Sequence, residues 1–406
     1  MASWRVIVVL IVMLASSRHV AAHDETAIEE NVAELLATPP PSEGPEVTAK
    51  RRWGLIPQVG YGPDTGPVGG VKYTHRDLAD LGITLDVDGT YALEQQQSYK
   101  IGVGTPHLLD DRFLLFFRAR YKIDPQMEFF GLGNNDVGPD AASTHLFERY
   151  DVFLTAGWRP IRRLAANFSV GLRHVRIGLG DRDDDTPFTR ELFPDLPGVH
   201  GGYVNPLEAS LVYTTRESVV RPLGFRGILK VSHTNRKLKS DFQFTRLVVD
   251  VGYWYGFGDR HTIGARLNGG FIKGPNRDIP FWELEELGGD DSLRGFFPER
   301  FLGSQRLFGT LEYRLRIGDF DFFDIWNVVV EGAAFGETGR VFIDRGELSD
   351  EFSLNRDVIS RVVADLQYSY GGGLRFALSQ AIVARVDVAF SEEETGLVYL
   401  AFGHAF

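Results

Sequence analysis

The stretch Leu307-Phe308-Gly309-Thr310-Leu311-Glu312-Tyr313-Arg314-Leu315-Arg316-Ile317 sets Thr310, Glu312, Arg314 and Arg316 on one parity and Leu307, Leu311, Tyr313, Leu315 and Ile317 on the other. Successive side chains point to opposite faces only in an extended chain, so this is a two-faced strand and not a helix. Phe113–Ile123 repeats the pattern, with Arg118, Arg120 and Lys122 against Phe113, Leu115, Phe117 and Tyr121. Ile83–Tyr91 sets Asp86 and Asp88 against Ile83, Leu85 and Val87. In Ala381–Phe390, Arg385 and Asp387 oppose Ile382, Ala384, Val386, Val388 and Phe390. A soluble sandwich would alternate in the same way, so the links between strands decide.

Sixteen candidate strands begin near residues 53, 68, 82, 96, 112, 147, 164, 204, 223, 242, 260, 304, 325, 366, 380 and 395. Short links fall near Asp77–Leu81, Pro160–Arg163, Gly256–Arg260 and Leu378–Gln380; long ones occupy Asp124–Leu146, Gly178–Tyr203, Lys273–Gly303 and Phe342–Asp365. Short turns on one side, long loops on the other and an even strand count describe an outer-membrane barrel. In lipid, closure is the only way to hide sheet edges. The expected fold is therefore all-β: a transmembrane antiparallel barrel of 16 strands over residues 52–406.

The chain's start agrees with that destination. A basic Met1–Arg5, an apolar Val6–Ala15 and the small residues Val20-Ala21-Ala22 read as a signal peptide over residues 1–22, cut near Ala22/His23. The apolar run is too short to cross a bilayer core, which needs about 20 residues. Residues 23–51 read as a periplasmic linker, with Thr26–Ala37 able to form a short helix before Pro39-Pro40-Pro41; a disordered tail and a plug both remain open. The chain has no cysteine, so it carries no disulfide framework, thiolate metal site or lipoprotein anchor. A formal charge of −12 offers no basic field for nucleic acid. Glycine (45) and aromatics (30 Phe, 14 Tyr, 6 Trp) are abundant. With a mean hydropathy of only −0.13, they fit strands that are half lipid-facing and half wet. At the far end Val398, Leu400, Phe402, His404 and Phe406 alternate up to a terminal aromatic, and Phe402 and Phe406 resemble the insertion signal of outer-membrane barrels.

Between the eleventh and twelfth candidate strands lies Gly288-Gly289-Asp290-Asp291-Ser292-Leu293-Arg294-Gly295-Phe296. Leu293-Arg294-Gly295-Phe296 resembles the Leu/Val-Arg-Gly-Phe/Tyr loop of the BamA/TamA-like (bacterial surface antigen) superfamily of 16-stranded barrels. Gly309-Thr310-Leu311-Glu312 is similar to that family's Gly-x-x-Glu on strand twelve. Phe335-Gly336-Glu337-Thr338-Gly339 is similar to its Phe-x-Asp-x-Gly on strand thirteen, with Glu in place of Asp. The resemblance implies that a loop spanning about 273–303 folds into the lumen and that Arg294 meets acidic residues on the inner wall. Members that assemble or secrete proteins carry periplasmic POTRA domains ahead of the barrel. Residues 23–50 have no room for one, so the resemblance carries the fold further than the assembly activity.

The residues support the arginine's role independently. Glu312 shares its face with Arg314 and Arg316; Glu337 shares parity with Asn327 and Glu331, opposite Trp326, Val328 and Val330. Both acids point inward, and a guanidinium fork can bridge two carboxylates where lysine is a point charge. An exposed loop arginine is the competing reading. The lumen is expected to be wet, placing the Arg294 pair between the buried and exposed extremes.

Catalysis finds little footing. Gly-x-Ser-x-Gly and His-Glu-x-x-His are absent, and the pairs His75/His107 and His233/His261 lack ligand spacing. Asp181–Asp185 lacks the calcium-loop pattern and reads as a solvated loop. No catalytic residue, metal site or cofactor is expected. The expected partners are outer-membrane lipid and lipopolysaccharide, and a periplasmic or surface protein. Three roles compete: insertion or movement of a protein or lipid, a passive or gated solute pore, and a structural surface protein with interacting loops.

Overall fold

The computed structural model describes residues 53–108, 112–134, 142–181, 186–216, 221–275, 278–322, 326–343, 365–378 and 382–402. The signal-peptide and linker readings, and Phe406, lie outside the described residues. The barrel strands run as β1 (Trp53–Gly62), β2 (Gly66–Leu78), β3 (Ile83–Ala92), β4 (Gln97–Leu108), β5 (Phe113–Phe129) and β6 (Ser143–Ile161). They continue as β7 (Leu164–Gly178), β8 (Leu207–Thr214), β9 (Gly224–Thr234), β10 (Phe244–Phe257) and β11 (His261–Lys273). The last five are β12 (Gln305–Phe322), β13 (Trp326–Phe342), β14 (Gln367–Leu378), β15 (Ile382–Phe390) and β16 (Leu397–Phe402). Each pairs antiparallel with its neighbours in sequence, and β16 returns to β1, closing a 16-stranded barrel. A two-residue strand, Gly202–Tyr203, adds to β7 ahead of β8. Among the described residues, no helix is long and apolar enough to cross a membrane.

The packing is inside-out. Leu172, Leu267 and Leu311 are 59%, 69% and 55% exposed on the outer face, while Arg294, Arg300, Arg314, Arg375 and Arg385 rank among the largest fully buried side chains. Such an apolar exterior is stable against lipid and would associate in water. Pairing each strand with its neighbours keeps backbone polar groups from facing hydrocarbon unsatisfied.

The expected link Asp124–Leu146 is shorter than the sequence suggested: β5 runs on to Phe129, and β6 starts at Ser143 rather than near 147. The first residues of β6 are polar, so they carry no alternation signal. They are covered instead, with Ser143 Oγ 2.9 Å from Thr189 Oγ1 and His145 Nδ1 3.2 Å from the same hydroxyl.

The segment between β11 and β12 contains a small ribbon, Glu285–Leu287 paired with Phe301–Gly303. Its apolar residues join two clusters on different walls. Phe281 and Leu302 pack with Phe129 (β5), Phe147 (β6) and Val175 (β7). Leu287, Leu293, Phe296 and Phe301 pack with Phe308 (β12) and Val341 (β13).

Candidate functional site

The site is built at the tip of that segment. Leu293 sits in the left-handed region at φ 47, a conformation disfavoured for a residue with a Cβ. The turn is held because the Leu293 side chain is fully buried and the Phe296 N–H donates to the Leu293 carbonyl at 2.9 Å. The next residue, Arg294, presents both its backbone and its side chain to the wall. Gly295 follows where any Cβ would run into the carbonyl of Phe390 on β15, so only glycine fits. Ser391 donates to the Gly295 carbonyl at 2.6 Å, and the Tyr399 hydroxyl donates to the Phe296 carbonyl at 3.1 Å.

Arg294 meets three carboxylates from three strands. Its Nε donates to Glu337 Oε1 (β13) at 2.8 Å, its Nη1 and Nη2 reach Glu312 Oε2 (β12) at 3.3 Å, and Nη1 reaches Asp387 Oδ2 (β15) at 3.1 Å. The guanidinium also lies 3.3 Å from the Phe335 ring centroid, a cation–π contact in a desolvated setting. Arg294 and Glu312 are 0% exposed. The pair is thus fully buried rather than intermediate, and Leu293 and Phe296, on either side of Arg294-Gly295, join an apolar cluster with Phe301, Phe308 and Val341. Burial by itself pulls the guanidinium's pKa down; the charges of Glu337, Asp387 and Glu312 more than reverse this and hold it above its ordinary value.

The surrounding charges neutralise one another. Arg314 Nε donates to Glu312 Oε1 at 2.6 Å, and Arg375 Nη2 reaches Glu312 at 3.4 Å while Nη1 donates to Asp387. Arg385 Nη1 reaches Asp387 at 3.2 Å and Nη2 reaches Asp290 on the loop at 2.7 Å. Ser369 Oγ on β14 donates to Glu337 Oε2 at 2.8 Å. Buried ions are tolerable only when paired this fully.

The sequence missed a second anchor. Glu283 accepts from Arg173 Nη1 (β7) at 2.5 Å and lies 3.1 Å from Arg246 Nη2 (β10). Glu285 lies 3.1 Å from Arg246 Nε and 3.3 Å from Arg306 Nη2 (β12). A third tie joins Arg300 to Glu393 by two hydrogen bonds of 2.7 Å. Loop residues have no parity, so none of these was visible in the alternation. Asp387 had a signal, since it shares the polar face of β15 with Arg385.

The other residues considered fall elsewhere. The Phe402 backbone pairs with Ala384 on β15. His233 bonds Thr245 at 2.8 Å, and His261 bonds the Tyr313 hydroxyl at 2.7 Å, so neither is placed toward the other as a ligand. Among the described residues, no group of three or more His, Asp or Glu could hold a metal ion. What the site does chemically is fix a loop to a wall.

Residues 81–406 match the Omp85 superfamily domain. Among solved structures, BamA from Haemophilus ducreyi lacking POTRA domains 1–3 is similar with a TM-score of 0.62 at 13% identity, over 97% of this chain and 81% of that one. CdiB from Escherichia coli gives 0.59 at 12% identity, over 92% and 70%. CdiB from Acinetobacter baumannii gives 0.51 at 12% identity, over 87% and 60%. No curated protein matches. At these identities the structural likeness is one of fold.

Proposed function

The chain belongs to the Omp85 superfamily, a family of bacterial outer-membrane barrels, and from that premise we propose that it is a non-enzymatic barrel that aids insertion or translocation of a protein or lipid. In this reading the β11–β12 loop crosses the lumen, the long loops face outside the cell, and the short turns face the periplasm.

The observation that carries it is the seam. β16 pairs antiparallel with β1, with Tyr61 opposite Leu400, and so closes the barrel. Each ladder hydrogen bond contributes about 0.5–1.5 kcal/mol in water and costs more to leave unmade in lipid. β1 and β16 are the neighbouring strands that no turn joins, and an opening between them exposes strand edges that an incoming strand can pair with.

The test is a seam lock. Purified Tyr61→Cys/Leu400→Cys protein, reconstituted in phospholipid vesicles, is assayed for faster insertion of an unfolded reporter barrel and faster transbilayer movement of a fluorescent phospholipid. We expect one of the two activities in the reduced protein, its loss on oxidation and its return with reductant. Neither activity together with large steady conductance in a planar bilayer would overturn the reading in favour of a solute pore. Neither activity in a closed barrel would favour a structural surface protein.

A further inference from the structure

A band of polar and aromatic side chains on the outer face has no part in the loop lock. Tyr99 (β4), Tyr121 (β5), Tyr150 (β6), His174 (β7) and Tyr203 lie directly opposite one another along the sheet, strand by strand. Their rings form a continuous ladder, with centroids 6.3, 4.9, 6.3 and 4.3 Å apart in that order. Tyr99, Tyr150 and Tyr203 are 47%, 46% and 50% exposed, on the same face as Leu154 and Leu172. Directly opposite each other in the next outward-facing row stand Glu148 and Arg176.

Glu148 organises this rim. Its Oε1 accepts from the phenols of Tyr121 (3.0 Å) and Tyr150 (2.8 Å), and its Oε2 from Arg176 Nη1 at 3.3 Å. The Arg176 side chain is still 65% exposed, so its other donors face outward. Arg190 donates to the carbonyl of Ile177, the residue after Arg176, which brings a second guanidinium to the same rim. The outward donors of Arg176 leave a positive spot beside an apolar surface.

Beneath the ring ladder lies a groove of about 870 Å³. Outward-facing Gly69 and Gly89 leave it without side-chain filling, and Tyr91, Tyr99, Ala119 and Val152 line it. It runs from β2 to β6, four inter-strand spacings, or about 19 Å at roughly 4.8 Å per strand.

We propose that this face binds one phosphorylated glycolipid of the lipid A class, with acyl chains lying in the Gly69/Gly89 groove and a phosphate held by Arg176 and Arg190. Three features select this ligand. The groove opens on the lipid-facing side, where the occupant is a hydrocarbon chain. Its breadth of about 19 Å lets several chains lie side by side. The arginine rim lies toward the long loops, which is the leaflet that holds such glycolipids. Guanidinium forks match phosphate oxygens in pairs. Because Glu148 fixes the tyrosine rings beforehand, little ordering is left to be done on binding.

The inference rests on the orientation given above, and cysteine labelling tests that orientation separately. Folded, detergent-purified protein is titrated by native mass spectrometry with bis-phosphorylated, hexa-acylated lipid A, and in parallel with phosphatidylglycerol and phosphatidylethanolamine. Lipid A should be retained at least about tenfold more tightly than either phospholipid, and Arg176→Gln should weaken it about tenfold. Gly69→Leu should do the same by filling the groove, and it is sterically mild, since a Cβ at Gly69 meets nothing within 4 Å. Both variants must keep the heat-modifiable folded band of the parent. Equal retention of phosphatidylglycerol, no retention of lipid A, or unchanged retention in both variants would overturn the proposal.

Discussion

Glu337 holds Arg294 twice: Oε2 accepts the Arg294 backbone N–H at 2.7 Å, and Oε1 accepts its Nε at 2.8 Å. The wall therefore grips the path of the loop as well as its charge. A loop that shifted by one residue would lose both bonds together.

Arg294→Ala should accordingly cost about 3–5 kcal/mol, the loss expected when one partner of a buried pair is removed. Arg294→Lys should recover little, because an ammonium cannot span Glu312, Glu337 and Asp387 from one position. Unfolding midpoints of the folded barrel in detergent measure this. In the Glu312→Gln/Glu337→Gln background the Arg294→Ala cost should shrink but persist, since Asp387 remains. Full additivity would show that the pairs are not coupled.

Much of the fold was legible because period-two alternation and link lengths are local properties. The face of each acid was legible for the same reason, and Glu312 and Glu337 lie beside Arg294. Height on the wall was not legible, since it depends on stagger accumulated across many strands. The bulge between Arg316 and Gly318 shifts that stagger without leaving a mark in the pattern. Asp387 was thus assigned an inward parity without a partner. Glu283 and Glu285 lie in the loop, where no periodicity exists, as do Phe296 and Phe301 of the apolar cluster that packs on β12 and β13.

Orientation is testable with single cysteines. Asp195 lies in the long β7–β8 connection and Asp259 in the short β10–β11 turn, and both are exposed. In intact cells an impermeant maleimide should label Asp195→Cys and leave Asp259→Cys untouched until the outer membrane is permeabilised. The reverse pattern would invert the barrel, and with it the leaflet assigned to the Arg176 rim.

The ribbon carries a pH dependence. Burial pushes the Glu286 carboxyl up to about 7, against Arg306, Lys122 and Arg246 and aided by Glu285; Glu299, half-buried near Glu286, is raised as well. A carboxyl whose folded pKa lies above its unfolded value binds its proton more tightly when folded. Its stabilising effect is full below the unfolded value and is lost as pH rises through the folded one, at no more than about 1.4 kcal/mol per pH unit for one group. The urea midpoint should therefore fall between pH 5 and pH 8, and Glu286→Gln should flatten the slope. A midpoint that rises over this range would contradict the buried-acid reading.

The last expectation concerns how the loop is held in place. Its tip is tied to β12, β13 and β15 through Arg294, and its leading leg to β7 and β10 through Glu283. These ties share no carboxylate, so losing one leaves the other intact. Glu283→Ala removes one carboxylate from Arg173, which keeps Asp151 at 2.8 Å, and one from Arg246, which keeps Glu285 at 3.1 Å. Its cost should be about 3 kcal/mol, at the low end for a broken buried pair. Conductance should separate the two anchors from a single one. Each single variant should show brief openings in a planar bilayer, because the remaining anchor returns the loop. Glu283→Ala combined with Arg294→Ala should give long-lived openings well beyond the sum of the two. Sustained opening in Arg294→Ala alone would mean that the arginine is the whole lock and that the Glu283 tie only braces the wall.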